Sequence, residues 1–360
     1  MTLSVCLIVK NEQSVLKRCL NCVRVFADEI IIVDTGSTDR TVEIAKEFTD
    51  KVYFFEWCDD FSAARNYAFD KASCDLLMWL DADDVITDEN CAKIIELKNS
   101  FEDYDMAVLP YAAAFDGNKP TFVYNRERIF KRDNGYRFSG EVHEAVAPFG
   151  KIYHSDAVIY HKKEKENTPL RNLSILQKKI SAGKQLSERD KFYYGRELLY
   201  NRMYLEAIAV LKDFLAGDGW FVNKAEACLN LYQAYIALGK DEDALASLLR
   251  SLTVVPPNSQ VCCILGEYFL NRGEYDFSIY WYNAALSADN GERYGSFINM
   301  DYCAFIPYMQ LCVLYDKLGD SRKACYFNSK AGKIKPHNEN YLSNVKYFDK
   351  LGIRGNIDEQ

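Results

Sequence analysis

The sequence predicts two domains in series: an α/β domain built on a mostly parallel sheet, then an all-α domain of helical repeats. Three observations carry this prediction. Over roughly the first 160 residues, short apolar, β-branched runs alternate with amphipathic segments, the pattern of strands joined by crossover helices. From about residue 190 the alternation gives way to helical periodicity rich in Leu, Ala and Tyr. Within that second part a short pattern returns after 34 residues, an interval typical of stacked helix pairs.

At 360 residues the chain has room for two domains of ordinary size, and its 49% hydrophobic content supplies their cores. A net charge of −8 and a pI near 5.3 argue against a nucleic-acid or membrane-surface binder. The opening MTLSVCLIVKNE has no basic flank and only a short apolar run, so it fits a first strand better than a signal peptide. No window approaches the length of a membrane span. The 12 cysteines lie among apolar neighbours and read as reduced, buried thiols, which gives an expected cytoplasmic location. Cys19 and Cys22 form a C-x-x-C without a second pair of ligands nearby, so packing is their expected role.

In chain order, residues 4–9 read as a strand, Lys10-Asn11-Glu12 as a turn, and 15–25 as a helix. A β-branched strand at 29–33 ends in Asp34-Thr35-Gly36-Ser37-Thr38-Asp39, and a helix follows at 41–48. A short strand at 52–55, a helix at 63–71 and a strand at 75–80 come next, then a helix at 91–97 and a strand at 106–111. Residues 112–121, with Gly117, Asn118 and Pro120, read as an irregular insertion, and a last strand spans 157–160. In such a sheet ligands bind beyond the carboxyl ends of the strands. Asn11 and Glu12, Asp34 to Asp39, and Asp81 to Asp84 all fall at that rim, which makes it the expected site.

The stretch LLMWLDADDV ends a buried strand in Asp81, Asp83 and Asp84. Three ionised acids at one strand tip suit a divalent cation held by hard oxygen ligands, Mg²⁺ or Mn²⁺. The same acids also suit a helix N-terminus, since Asp88 and Glu89 open a helical pattern. Downstream, Arg126, Arg128, Lys131, Arg132 and Arg137 alternate with aromatic and apolar residues. They read either as a cluster that neutralises a diphosphate or as one solvated strand face.

The succession VKNE, VDTGSTDRT, DFSAARNYA and WLDADD resembles glycosyltransferase family 2, of Rossmann-like GT-A fold. The resemblance covers about the first 160 residues and implies a nucleotide diphosphate sugar donor, uridine-linked, with Mn²⁺ or Mg²⁺. It implies Asp34 and Asp39 around the base and ribose, Arg65 near the base or diphosphate, and Asp81 near the ribose. It further implies Asp83 and His161 as metal ligands. Where many relatives carry two acids in the second motif, this chain has Asp34-Thr35. The segment Gly140-Glu141-Val142-His143-Glu144 is similar to the acceptor side of family 2 enzymes with helical-repeat tails, among them the sublancin-type peptide S-glycosyltransferases. An inverting transferase needs one carboxylate to take the acceptor's proton. The resemblance makes Glu144 the first candidate and Glu141 the second, while as plain surface acids they would pair with the arginines upstream.

The charged run 162–166 and Thr168-Pro169 mark a boundary, giving a transferase domain at 1–165, a linker or helix at 166–189, repeats at 190–350 and a tail at 351–360. Tyr235-Ile236-Ala237-Leu238-Gly239-Lys240 with Ala244 recurs as Phe269-Leu270-Asn271-Arg272-Gly273-Glu274 with Ser278. Weaker copies lie at Tyr200–Tyr204 with Ala207 and at Tyr315–Asp320 with Ala324. This is the tetratricopeptide signature, and such arrays bind peptides or self-associate. Tyr232, Tyr268, Tyr275, Tyr280, Trp281 and Tyr282 are expected to be mostly core. The expected partners are a nucleotide sugar and a protein or peptide acceptor, with a homodimer through the repeats as a further option. Two other readings stay open: a cell-envelope glycan or lipid-linked acceptor, and a non-catalytic repeat scaffold.

Overall fold

A computed structural model describes residues 1–117, 119–164, 170–289 and 298–353. The expected break at Thr168-Pro169 and most of the expected tail lie outside these residues. The chain divides into two compact units, Met1–Gly219 and Trp220–Gln360.

The first unit opens with β1 (Leu3–Val9), α1 (Leu16–Val23), β2 (Glu29–Asp34), α2 (Thr41–Lys46), β3 (Val52–Phe54), α3 (Phe61–Lys71) and β4 (Leu76–Leu80). It continues through β5 (Asp84–Val85), α4 (Asp88–Asn99), β6 (Met106–Asp116), β7 (Lys119–Lys131), β8 (Phe138–Ser139), β9 (Ala145–Val146), β10 (Ile152–His154) and β11 (Ile159–His161). Strands β3, β2, β1 and β4 lie side by side in parallel, and β7, β6, β11 and β5 extend the sheet beyond β4. The sheet is mixed because β7 runs antiparallel to both β4 and β6.

Alternation along β1 sends Leu3, Val5, Leu7 and Val9 to one face, where they pack with Leu16, Leu20 and Val23 of α1 and Ile94 of α4. Cys6 faces the other layer, with Phe69 of α3 and with Trp79 and Phe138. Both faces are therefore covered, and polar groups collect where the strands end. Asp60 caps α3 by accepting the Ala63 N–H at 2.9 Å, which directs this helix from the rim.

Residues 112–121 are not an irregular insertion. Their described part belongs to the β6–β7 hairpin, which has register breaks near Ala112 and Ala114 and Gly117 at φ +59° where the chain reverses. Aromatic pairing outweighs the turn-forming residues: the Tyr111 and Tyr124 rings cross 5.5 Å apart, as do Phe122 and Tyr124. The hairpin carries β11 alongside β6, and β11 pairs antiparallel with β5 so that His161 lies opposite Asp84.

Helices α5 (Arg171–Ser181), α6 (Glu188–Tyr200) and α7 (Tyr204–Ala216) complete this unit. Ser187 and Asp190 close a reciprocal capping box at the start of α6.

The second unit holds α8 (Phe221–Ala237), α9 (Asp241–Ser251), α10 (Ser259–Asn271), α11 (Tyr275–Ser287), α12 (Ile306–Lys317), α13 (Ser321–Ile334) and α14 (Glu339–Lys350). The repeat glycines Gly239, Gly273 and Gly319 all have positive φ and end the first helix of a pair. Ala244, Ser278 and Ala324 are fully buried in the second helix. Tyr282 is core as expected, whereas Tyr280 is 65% exposed. Among the described residues no helix is long and apolar enough to cross a membrane.

Candidate functional site

A cleft of about 770 Å³ opens at the carboxyl ends of β1, β2 and β4. Its lining includes Lys10, Asn11, Glu12, Thr35, Arg65, Trp79, Asp81, Asp83, Arg126, His143, Glu144 and His161. Asn11, Thr35, Asp81 and Asp83 meet because each follows a strand of one sheet, Arg65 joins them from α3, Trp79 and Arg126 from within β4 and β7, and His143 and Glu144 from the segment after β8.

The first two rim turns are tied together by side chains. The Asn11 amide oxygen accepts the Thr38 N–H at 2.7 Å, and the Asn11 N–H donates to Ser37 Oγ at 2.9 Å. Asn11 itself adopts φ +56°, a conformation asparagine tolerates better than most residues. The Glu12 N–H donates to Thr41 Oγ1 at 2.6 Å. Asp34 is buried and accepts the N–H groups of Gly36 and Ser37, so its carboxylate shapes its own turn. Asp39 accepts the N–H of Thr41 at 2.9 Å at the start of α2. Neither Asp34 nor Asp39 lines the cleft, whereas Asn11 and Glu12 do.

At the end of β4 the acids separate by environment. Asp81 reaches Arg65 at 2.7 Å, and although burial would push its carboxyl up, Arg65 and Arg128 hold it well below the usual range. Asp84 is buried and takes hydrogen bonds from Tyr111 Oη at 2.9 Å and the Asp81 N–H at 3.0 Å, with Arg128 at 3.3 Å. Asp83 stays accessible. His161 Nδ1 lies 3.3 Å from Asp83 Oδ1 and 3.5 Å from Asp84 Oδ1, and among the described residues these three groups are close enough together to hold a metal ion. Burial alone would lower the imidazole, but Asp83 and Asp84 raise it to about 10. The ring nitrogen is buried and makes no well-directed hydrogen bond, though two carboxylate oxygens stand beside it. Once its proton is displaced, a ring nitrogen beside two carboxylate oxygens suits a divalent cation, and the residues fit one.

Arg65 links the two halves of the cleft. Its Nε donates to Glu144 at 2.6 Å and its second terminal nitrogen to Asp81 at 2.7 Å, while its plane covers Trp79 at 4.3 Å. Despite its burial, both carboxylates favour the charged form and push its pKa up. Arg126 also lies over Trp79, at 4.9 Å, and lines the cleft. Arg128 does not reach it. That guanidinium is fully buried between Trp79 and Tyr111, donating to the Trp79 carbonyl at 3.1 Å. Arg137 pairs with Asp70, and Lys131 donates to the Glu102 carbonyl, so the basic cluster faces several ways.

The segment at 140–144 separates the two candidate carboxylates. Gly140 adopts φ +98°, a backbone conformation that favours glycine, although a Cβ there would meet only ordinary contacts. Glu141 points away to Lys179, which also binds Asp190, and does not line the cleft. Glu144 faces Arg65 inside it. Sequence reasoning did not find Trp57, Phe61, Arg171 and Asn172, which form a further wall. Trp57 and Phe61 pack edge to face at 4.7 Å, and Arg171 lies 4.9 Å over Phe61. The aromatic pair flanking the start of α3 was the available signal, while the α5 residues had none.

A model described as Glycosyl transferase family 2 matches residues 4–162. The SPbeta prophage-derived glycosyltransferase SunS of Bacillus subtilis (strain 168) is 31% identical over 226 residues, covering 59% of this chain and 52% of that protein. The chain thus spans about half the length of this relative. An uncharacterized glycosyltransferase of Rickettsia felis is 33% identical over 276 residues, 70% of this chain and 93% of that protein. A TPR repeat-containing protein of Synechococcus elongatus is 38% identical over 149 residues, 40% of this chain and 35% of that one.

Proposed function

Because the chain belongs to glycosyltransferase family 2, we propose that it moves a sugar, with inversion, from a uridine diphosphate sugar to a protein or peptide side chain. The observation that carries this reading is the convergence of Asp81, Asp83, His161, Arg65 and Glu144 on one cleft at the strand ends.

Asn11, Glu12 and Thr35 line the end of the cleft that suits the nucleoside, and Arg126 offers a guanidinium to the phosphates. Asp83 and His161, backed by Asp84, would hold Mn²⁺ or Mg²⁺. Such an ion, when bound, stabilises negative charge on the departing diphosphate. Asp84 is the brace of this group rather than its open ligand, because Tyr111, Arg128 and the Asp81 N–H already occupy its oxygens.

Glu144 is the proton acceptor. A hydroxyl or thiol of the acceptor forms a bond to the anomeric carbon, the bond from that carbon to the diphosphate oxygen breaks, and the acceptor's proton passes to Glu144. Arg65 Nε donates to one oxygen of this carboxylate at 2.6 Å and fixes it, leaving the other for the proton. The helical repeats of the second unit support a polypeptide acceptor, since stacked helix pairs present an extended surface to peptide segments.

The test is thermal unfolding with uridine, guanosine and adenosine diphosphates and their sugar conjugates, each with and without Mn²⁺. A ligand at about a hundred times its Kd stabilises by about 2.7 kcal/mol, several degrees in Tm. The expected result is a shift with uridine diphosphate that needs the metal and is lost in Asp83→Asn. A shift that persists in Asp83→Asn would overturn the metal assignment, and no shift with any nucleotide would overturn the donor.

A further inference from the structure

We infer that Glu197 and Arg189, on helix α6, are positioning residues for sugar transfer: they hold the backbone turn at His143 that presents Glu144 to the cleft. The inference rests on the reading of Glu144 as the proton acceptor.

His143 adopts φ +52°, a left-handed conformation that is strained for a residue with a Cβ. Three contacts impose it here, all from α6. The imidazole stacks on Tyr193 with ring centres 4.1 Å apart and planes within 12°. Its Nε2 lies 2.8 Å from Glu197 Oε1. The His143 carbonyl accepts two hydrogen bonds from Arg189, at 3.2 Å from Nε and 2.9 Å from a terminal nitrogen.

Glu197 is suited to this task. It is 9% exposed and fixed in turn by the Asn172 amide at 3.1 Å, and Asn172 lines the same cleft. Although burial would push its carboxyl up, hydrogen bonds from His143 and Asn172 hold it down, so it remains an acceptor. Glu144 is the next residue after His143, and its Oε1 lies 2.6 Å from Arg65 Nε. Releasing the turn frees the backbone one bond before the proton acceptor. A displacement of about 1 Å at such a group costs on the order of 100-fold in rate.

The test needs no knowledge of the acceptor, because water can replace it. Release of uridine diphosphate from UDP-glucose and UDP-N-acetylglucosamine is followed with Mn²⁺ present, together with amide hydrogen exchange over residues 140–144. Glu197→Ala is expected to lower kcat by roughly 10- to 100-fold with the donor KM within about twofold, since Asn11, Asp81 and Asp83 are untouched. The same variant is expected to speed exchange in the 140–144 turn. Glu197→Gln, whose amide oxygen still accepts from His143 Nε2, should restore most of both. A kcat loss that glutamine does not rescue, or KM rising in parallel, would mean a merely structural role and overturn the inference. Unchanged exchange in Glu197→Ala would overturn it even where hydrolysis is slow. Glu144→Gln separates the two readings: full activity in that variant refutes Glu144 as proton acceptor, whereas an inactive Glu144→Gln beside a fully active Glu197→Ala refutes only the clamp.

Discussion

Arg65 sets the charge balance of the cleft, and its substitution is the most informative single change. It is 7% exposed, paired with both Asp81 and Glu144, and laid over Trp79. Lysine keeps the charge but is a point donor that cannot span two carboxylates in fixed geometry. Arg65→Lys is expected to destabilise the protein by about 3 kcal/mol in urea unfolding and to lower donor hydrolysis by more than ~100-fold. The resemblance in the DFSAARN motif pointed to it, and it lines the cleft, but its partners stand 16 and 79 positions further on and left no mark in local spacing. Glu29 makes the same point away from the site. It reads as the first residue of a strand, yet it is buried and accepts hydrogen bonds from Ser4, from Lys51, and from the Ser73 N–H and hydroxyl at 2.8 and 2.7 Å. Burial would push its carboxyl up, but these donors bring it from 4.5 down to about 2. A depressed folded value means stability that is complete above pH 4.5 and is lost as pH falls from there towards 2. Glu29→Gln should cost on the order of 2 kcal/mol at pH 7 and flatten that acid limb, as read by urea unfolding across pH. Equal acid limbs in the two proteins would show that Glu29 does not carry the effect.

At the scale of elements, the helix turns explain why one repeat was plain in the sequence and another faint. In three pairs a glycine follows the first helix: the Gly239, Gly273 and Gly319 N–H groups donate three residues back, to the carbonyls of Ile236, Leu270 and Asp316 at 3.0, 3.0 and 2.9 Å, and the next residue's N–H reaches Tyr235, Phe269 or Tyr315 at 2.9, 3.0 and 2.9 Å. The α6–α7 turn has the same bonds, Arg202 to Leu199 and Met203 to Leu198, both at 2.9 Å. Arg202 takes the glycine's place at φ +60° and is exposed, so the geometry survives without the letter that announces it. Relief of the left-handed strain against the greater freedom of an unfolded glycine leaves a net gain. Arg202→Gly should raise stability by roughly 0.5–1 kcal/mol, seen as a rise of the urea midpoint with unchanged slope. The β6–β7 hairpin hid for the opposite reason. Gly117 and Pro120 are turn residues by letter, and the cross-strand pairing of Tyr111 with Tyr124 shows that the strands run right up to the reversal at Gly117, with Pro120 already inside β7. Strands β1, β2 and β4 were easier because burial on both faces makes them continuous apolar runs.

At the scale of the whole molecule, the first compact unit runs to Gly219 although the strand pattern ends near residue 161. No periodicity announces this, because the joining contacts are tertiary. Leu176 and Ile175 of α5 pack with Val142 of the 140–144 turn, with Trp57, Phe61 and Tyr194 against them. Lys179 reaches Glu141, and Lys178 reaches Asp59 at 2.6 Å, where the chain turns at φ +59° beside Trp57. Helices α5 and α6 therefore complete the cleft's wall, through Arg171, Asn172 and the Glu197 clamp. A chain ending at Gly219 should fold and show the same metal-dependent Tm shift with uridine diphosphate as the full chain, within about two degrees. A chain ending at Glu164 exposes Val142, Trp57 and Phe61 and leaves Glu141 without Lys179, so it should aggregate or give no shift. If the shorter chain bound the nucleotide as tightly as the longer, α5 and α6 would be neighbours of the cleft and not part of it. If the Gly219 chain bound nucleotide but transferred no sugar to a polypeptide that the full chain modifies, the repeats of the second unit would be the acceptor's contact surface.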